Sequence, residues 1–90
     1  MRSILDVDGR CLFCGRRGTE RHHVFYGTAN RAKSEKYGLT VRLCREHHRG
    51  EDGVHFNRQR DLELKRFAQL VFEGLYGHEK FMEVFHKNYL

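Results

Sequence analysis

Polar and apolar positions along the chain fall into blocks of different period. Residues 1–10 read as a short lead-in, ordered by Ile4, Leu5 and Val7. Thr19 to Tyr26 predicts a strand carrying His22, His23, Val24 and Phe25, ended by Gly27. Residues 29–37 are densely charged and predict a short surface helix, with Thr28 as its cap and Gly38 as its stop. Leu39-Thr-Val-Arg-Leu43 alternates and predicts a second strand that leads directly into Cys44. A short helix over 44–49 and a Gly-Glu-Asp-Gly loop at 50–53 follow. The period then lengthens. Leu64, Phe67, Ala68, Val71 and Leu75 recur at helical spacing, which predicts an amphipathic helix over 61–75, capped by Asp61 and broken at Gly77. Phe81, Met82, Phe85 and Tyr89 predict a last helix over about 78–88. Aromatic stripes of this kind pack cores. The expectation is a small α+β protein with one domain over 1–90: a hairpin-and-helix portion in 11–57 and a helical extension in 58–90.

Charge sharpens this picture. The chain carries 17 Lys/Arg against 12 Asp/Glu, a formal +5. Residues 16–60 hold eleven of those cations against five acids, so the excess sits in the half that also holds most of the histidines. A basic half of this kind suits a polyanion such as nucleic acid, although it also serves simply as a solvated surface. No apolar run approaches the length of a membrane span, and no secretory leader pattern opens the chain. A soluble, intracellular protein with no membrane partner is expected.

At 90 residues a hydrophobic core alone gives marginal stability, and small chains commonly add a staple. Three cysteines cannot pair completely as disulfides. Cys11-x-x-Cys14 followed about thirty residues later by Cys44-x-x-His47 is instead a spacing that closes a tetrahedral zinc site. Gly15, directly after Cys14, sits where such a knuckle needs positive φ. His22, His23 and His48 are left without structural work. Hydrolysis of a phosphodiester needs a base for water, a cation at the scissile phosphate and a stabilised leaving group. Neutral imidazoles suit both the base and the ligand roles. Adjacent residues of a strand face opposite ways, so His22 and His23 can divide those roles.

The run Cys-x-x-Cys-Gly, His-His-Val, Leu-Cys-x-x-His-His resembles the HNH endonucleases over about residues 11–57. The segments His-His-Val-Phe-Tyr-Gly, Ser-Glu-Lys-Tyr-Gly-Leu and Gly-Val-His-Phe-Asn are similar to small members from bacteriophages and prophages. The resemblance implies a ββα-metal fold and DNA cleavage leaving 5′-phosphate and 3′-hydroxyl ends, in the cytoplasm of a bacterial or phage-infected cell. It implies His23 as general base, with His22 and His48 as ligands of a catalytic divalent cation (Mg²⁺, Mn²⁺, Ni²⁺ or Zn²⁺). His55 or Asn57 would supply a further ligand. Arg42, Arg45, Arg49, Arg58 and Arg60 are candidates for contacts to the DNA phosphate backbone. The C-terminal helices can pack on the core, form a homodimer or meet a phage protein partner.

Two departures from the family pattern stand out. Leu39, with Thr40 next, occupies the place of the asparagine that orients the base, so Asn30, Asn57, Thr40 or a backbone carbonyl would have to substitute. The fourth zinc ligand is histidine where cysteine is commoner, and His47 and His48 could exchange roles; the Cys-x-x-His turn favours His47 on zinc. The alternative to a nuclease is a non-catalytic zinc module that docks on nucleic acid or protein.

Overall fold

Strand β1 (Thr19–His23) pairs antiparallel with β2 (Thr40–Cys44), in a register that sets Thr19 opposite Cys44, His22 opposite Val41 and His23 opposite Thr40. The computed structural model describes residues 2–6 and 8–90. Val7, expected to help order the lead-in, lies outside them. Helix α1 (Thr28–Tyr37) occupies the connection between the strands; α2 (Arg45–Arg49) leaves β2 directly, and α3 (Arg58–Tyr76) and α4 (His78–Phe85) complete the chain. Among the described residues this is an α+β arrangement of one two-stranded sheet and four helices. No helix among them is long and apolar enough to cross a membrane.

Both strands are shorter or shifted relative to the sequence pattern. β1 ends at His23; Val24 N–H still donates across to Leu39 C=O at 3.0 Å, and it is Phe25 that turns its backbone to Ser34, with both side chains buried in the core. Ser34 secures that exit. Its buried hydroxyl accepts from Phe25 N–H at 3.1 Å and donates to Phe25 C=O at 2.7 Å, pinning α1 against the chain leaving β1. Thr28 is the first residue of α1 and does not cap it; the N-cap is Gly27, with no side-chain cap bond. Gly38 does end α1 in the left-handed conformation (φ 71°), and a Cβ there would collide with the backbone of Arg2. Cys44 closes β2 and serves as N-cap of α2 instead of lying inside it.

Asp61 does not cap α3 either. The helix starts three residues earlier, with the Asn57 side chain accepting from Arg60 N–H at 3.1 Å. Its buried stripe is Leu64, Ala68 and Phe72, with Gln69 beside it; Phe67 and Leu75, expected inside, are exposed. The spacing i, i+4, i+8 leaves those two outside the packed stripe. Phe72 meets Phe81 and Phe85 of α4, and Phe25 stacks on Phe85 at 4.4 Å between centroids, so one aromatic cluster joins the hairpin to both C-terminal helices. α4 ends at Phe85, with His86 in a left-handed cap, short of the expected residue 88. Gln69 ties the tail down by accepting from Tyr89 N–H and donating to Asn88.

Candidate metal centres and the histidine cleft

The knuckle at residues 11–16 is a tight turn in which Gly15 N–H donates to Cys11 C=O and Cys11 N–H to Arg16 C=O. Gly15 adopts φ 75°, as a knuckle requires. Leu12 N–H donates to Arg42 C=O, which docks the turn on the outer edge of β2. Cys44 at the end of β2 and His47 on α2 then meet Cys11 and Cys14, and the four donor atoms lie within 4.8 Å of one another. The Cys14–Cys44 sulfurs are 3.7 Å apart, and His47 Nδ1 is 3.3 Å from Cys44 Sγ and 3.6 Å from Cys11 Sγ. A zinc tetrahedron with Zn–S about 2.3 Å and Zn–N about 2.0 Å has edges of roughly 3.5–3.8 Å, so this quartet fits that ion. Burial would raise the Cys11 thiol, but hydrogen bonds from the backbone at Cys44, Cys14 and Phe13 outweigh it and bring the group down to about 6. That favours thiolate at Cys11, the form that binds metal, whereas at Cys14 a backbone bond at Arg16 is outweighed by burial and the neighbouring Cys11 and Cys44 sulfurs, which push the thiol up. The quartet can hold a structural metal, and it takes His47 and not His48.

Strand alternation sorts the rest. Glu20 and His22 lie on one face of β1, Arg21 and His23 on the other. On the first face His22, His48 and His55 converge, with one ring nitrogen of each within 4.8 Å of the others. His48 comes from α2. His55 comes from the following turn, which is held by Val54 N–H to His47 C=O and by Asn57 N–H to Gly53 C=O. His48 Nδ1 donates to Glu20 Oε1 at 2.7 Å, which leaves Nε2 with its lone pair. That nitrogen stands 3.1 Å from His55 Nε2. His22 Nε2 is buried with no hydrogen-bond partner among the described residues. Burial first, then the imidazoles at 48 and 55, push His22 down to about 3, so it is neutral. His55 is lowered by burial and then by the His48 imidazole. Ligand nitrogens about 2.0–2.1 Å from a shared divalent cation are roughly 2.9–3.4 Å apart. The 3.1 Å pair and the orphaned buried nitrogen fit such an ion, and Glu20 stands where a carboxylate would orient His48 as a ligand.

On the other face His23 Nε2 donates to Glu35 Oε2 at 2.9 Å, and Arg21 contacts both oxygens of the same carboxylate at 2.8 and 2.7 Å. Arg21 first and His23 second hold Glu35 down to about 2. His22, His23, His48 and His55 all line one open cleft of about 650 Å³, together with Arg31 and Arg49. Asn57 is committed to capping α3.

Behind the histidines, Asp61 accepts from Tyr26 Oη at 3.0 Å and from Lys65 Nζ at 2.8 Å; the Lys65 ammonium sits 4.1 Å over the Tyr26 ring.

The arginines divide differently from the sequence-based nomination. Arg42 donates to Thr19 C=O and Oγ1, so it staples the hairpin. The Arg60 guanidinium lies 4.8 Å over the Phe13 ring and its Nε donates to Asp52 C=O. Arg58 lines neither basic cleft. Arg45 and Arg49 do line one, of about 510 Å³, with Arg16 and Arg17, and Arg49 is common to both clefts.

Glu20, Glu35, Arg16, Arg17 and Arg31 were not singled out from the sequence. Period-two alternation from His22 points to Glu20; nothing local points to Glu35, twelve residues from His23. Comparisons with protein-family models, with curated proteins and with solved structures found no match.

Proposed function

We propose that the protein is a metal-dependent DNA endonuclease of the HNH type, with β1, β2 and α2 as a ββα-metal unit and α1 inserted between its strands. One observation carries this reading: three imidazoles converge on one point, one through a buried nitrogen without a partner, in the same basic cleft that His23 lines. His22, His48 and His55 would hold a divalent cation, and Cys11, Cys14, Cys44 and His47 a structural zinc. The bound divalent cation supplies charge neutralisation at the scissile phosphate and the departing oxygen.

His23 acts as general base. Because Nε2–H is engaged by Glu35, Nδ1 is the nitrogen that takes the proton from water. The water oxygen forms the new bond to phosphorus, the P–O3′ bond breaks, and the departing 3′ oxygen takes a proton from solvent water to become a hydroxyl, while His23 later returns its proton to solvent. Arg31 and Arg49 on the cleft wall bind the flanking phosphates. Lys65, Asp61 and Tyr26 hold the wall behind His22 and His55 in place.

Supercoiled plasmid incubated with zinc-loaded protein and added Mg²⁺, Mn²⁺ or Ni²⁺ tests the proposal. Cation-dependent nicking that His23→Ala abolishes at equal zinc content is the expected result. A plasmid that is shifted in a gel but never cut, under any of these cations, would replace the nuclease by a zinc-dependent binding module.

A further inference from the structure

We infer that Glu35, clamped by Arg21, is the positioning residue for His23, fixing its imidazole in the Nε2–H form so that Nδ1 keeps the lone pair. Its consequence for rate rests on the nuclease reading above; the geometry does not. Arg21 and His23 lie two apart on the same face of β1, so both side chains reach the same point above the strand. Glu35 arrives there from the last turn of α1. Its neighbour Ser34 is fully buried and doubly bonded to Phe25, and Leu39 N–H donates to Ser34 C=O at 2.8 Å. These bonds fix the rotation of α1 and therefore the face on which Glu35 stands.

The carboxylate has little freedom to swing away. Arg21 donates to it at 2.8 Å while His23 donates at 2.9 Å. His23 and Arg21 line the cleft, and Glu35, which does not, is bonded to both. A carboxylate in this position sets the tautomer and ring orientation of a histidine, and it stabilises the imidazolium that forms when the other nitrogen takes a proton. The chain thus meets the orientation requirement with an acid from the inserted helix. Of the polar residues nearer in the sequence pattern, Asn57 is spent on α3, and Thr40 is the strand partner of His23.

The test is made on full-length, zinc-loaded protein. Long-range proton–nitrogen NMR correlations read the His23 tautomer at about pH 8.5, where an ordinary imidazole is neutral. Plasmid-nicking kinetics with Mn²⁺ are measured beside them. The wild-type protein is expected to show Nε2–H. Glu35→Ala is expected to lose that preference and to lower kcat by about 10–100-fold with KM unchanged. Glu35→Gln, which keeps an acceptor oxygen, is expected to retain the Nε2–H tautomer and recover part of kcat. Should Glu35→Ala fail to fold, Glu35→Gln and Arg21→Ala carry the comparison, with Arg21→Ala loosening the tautomer preference. A His23 tautomer unchanged in Glu35→Ala overturns the inference, whether or not kcat falls. A tautomer that shifts as expected, in a protein whose wild type cuts no DNA, supports the positioning role and overturns the nuclease reading alone.

Discussion

Glu20 and His48, twenty-eight residues apart, are joined by a 2.7 Å hydrogen bond from Nδ1 to a carboxylate that is itself held below the usual acid range by that bond. The bond decides which nitrogen of His48 is available to the cleft. Carboxylates that orient ligating histidines typically account for 10–100-fold in metal affinity. Glu20→Ala is therefore expected to weaken Mn²⁺ binding by about 10–100-fold while leaving zinc content unchanged, as read by calorimetric titration without DNA. Glu20→Gln should lose less, since its amide oxygen still accepts. Equal Mn²⁺ affinity in all three proteins would show that the bond does no more than pack α2 on β1.

The second prediction separates the two adjacent histidines of α2. Only His47 lies with the cysteines, whereas His48 points to the opposite cluster. His47→Ala should therefore lose bound zinc and, with it, cooperative unfolding, because metal-binding energy in so short a chain is folding energy. His48→Ala should keep one zinc per chain and a near-native melting temperature. Zinc analysis and circular dichroism check both. A full zinc complement in His47→Ala, with loss in His48→Ala, would reverse the assignment.

How much of this was legible beforehand depends on the range of the interaction that decides each residue. The knuckle spacing found all four members of the Cys/His quartet, because Cys-x-x-Cys and Cys-x-x-His turns are set by local backbone geometry. Periodicity located both strands, α3 and α4, and charge density with flanking cap residues located α1, but none of these fixed the ends. α3 begins at Arg58 instead of 61 because Asn57 outcompetes Asp61 as a cap, and Asp61 is drawn to Tyr26 and Lys65. His55, left level with Asn57 as a ligand, needed the turn that carries it back beside His48. Glu35 was invisible because its partners lie on β1, and it reaches them only through the rotation of α1, which a buried serine fixes.

Asp61 is also the basis of a stability prediction. It forms an ion pair with Lys65 at 2.8 Å, with side-chain exposures of only 10% and 12%. Burial lowers Lys65, but the bond and charge of Asp61 outweigh it and leave the group raised, so the ammonium depends on this partner. Removing one member of a buried pair strands the other charge, which costs about 3–5 kcal/mol, whereas replacing both with apolar residues is close to neutral. Asp61→Ala should thus lower unfolding free energy by about 3 kcal/mol. Asp61→Leu with Lys65→Met should lose less than about 1 kcal/mol. Urea titrations of the zinc-loaded proteins measure both, and a single mutant no worse than the double would remove the argument.

The last prediction concerns which arginines meet a nucleic acid. Arg16, Arg17 and Arg45 line the cleft beside the knuckle, and Arg49 forms the wall that this cleft shares with the histidine cleft. No close ion pair or hydrogen bond engages the guanidinium of Arg16, Arg17 or Arg45 among the described residues, although Glu46 lines the same cleft and the charge of Arg45 reaches Glu20. Arg42 and Arg60, by contrast, spend their guanidiniums on Thr19 and on Phe13 with Asp52. Each phosphate neutralised releases counterions and adds about 0.9 to the steepness of log affinity against log salt. Arg16→Ala with Arg17→Ala should therefore flatten that slope by about 2 for a short duplex, and Arg45→Ala by about 1. Arg58→Ala, outside both clefts, should leave it unchanged. Fluorescence anisotropy without added divalent cation makes the measurement independent of cleavage. A slope indifferent to Arg16, Arg17 and Arg45 would place the duplex on another face of the protein.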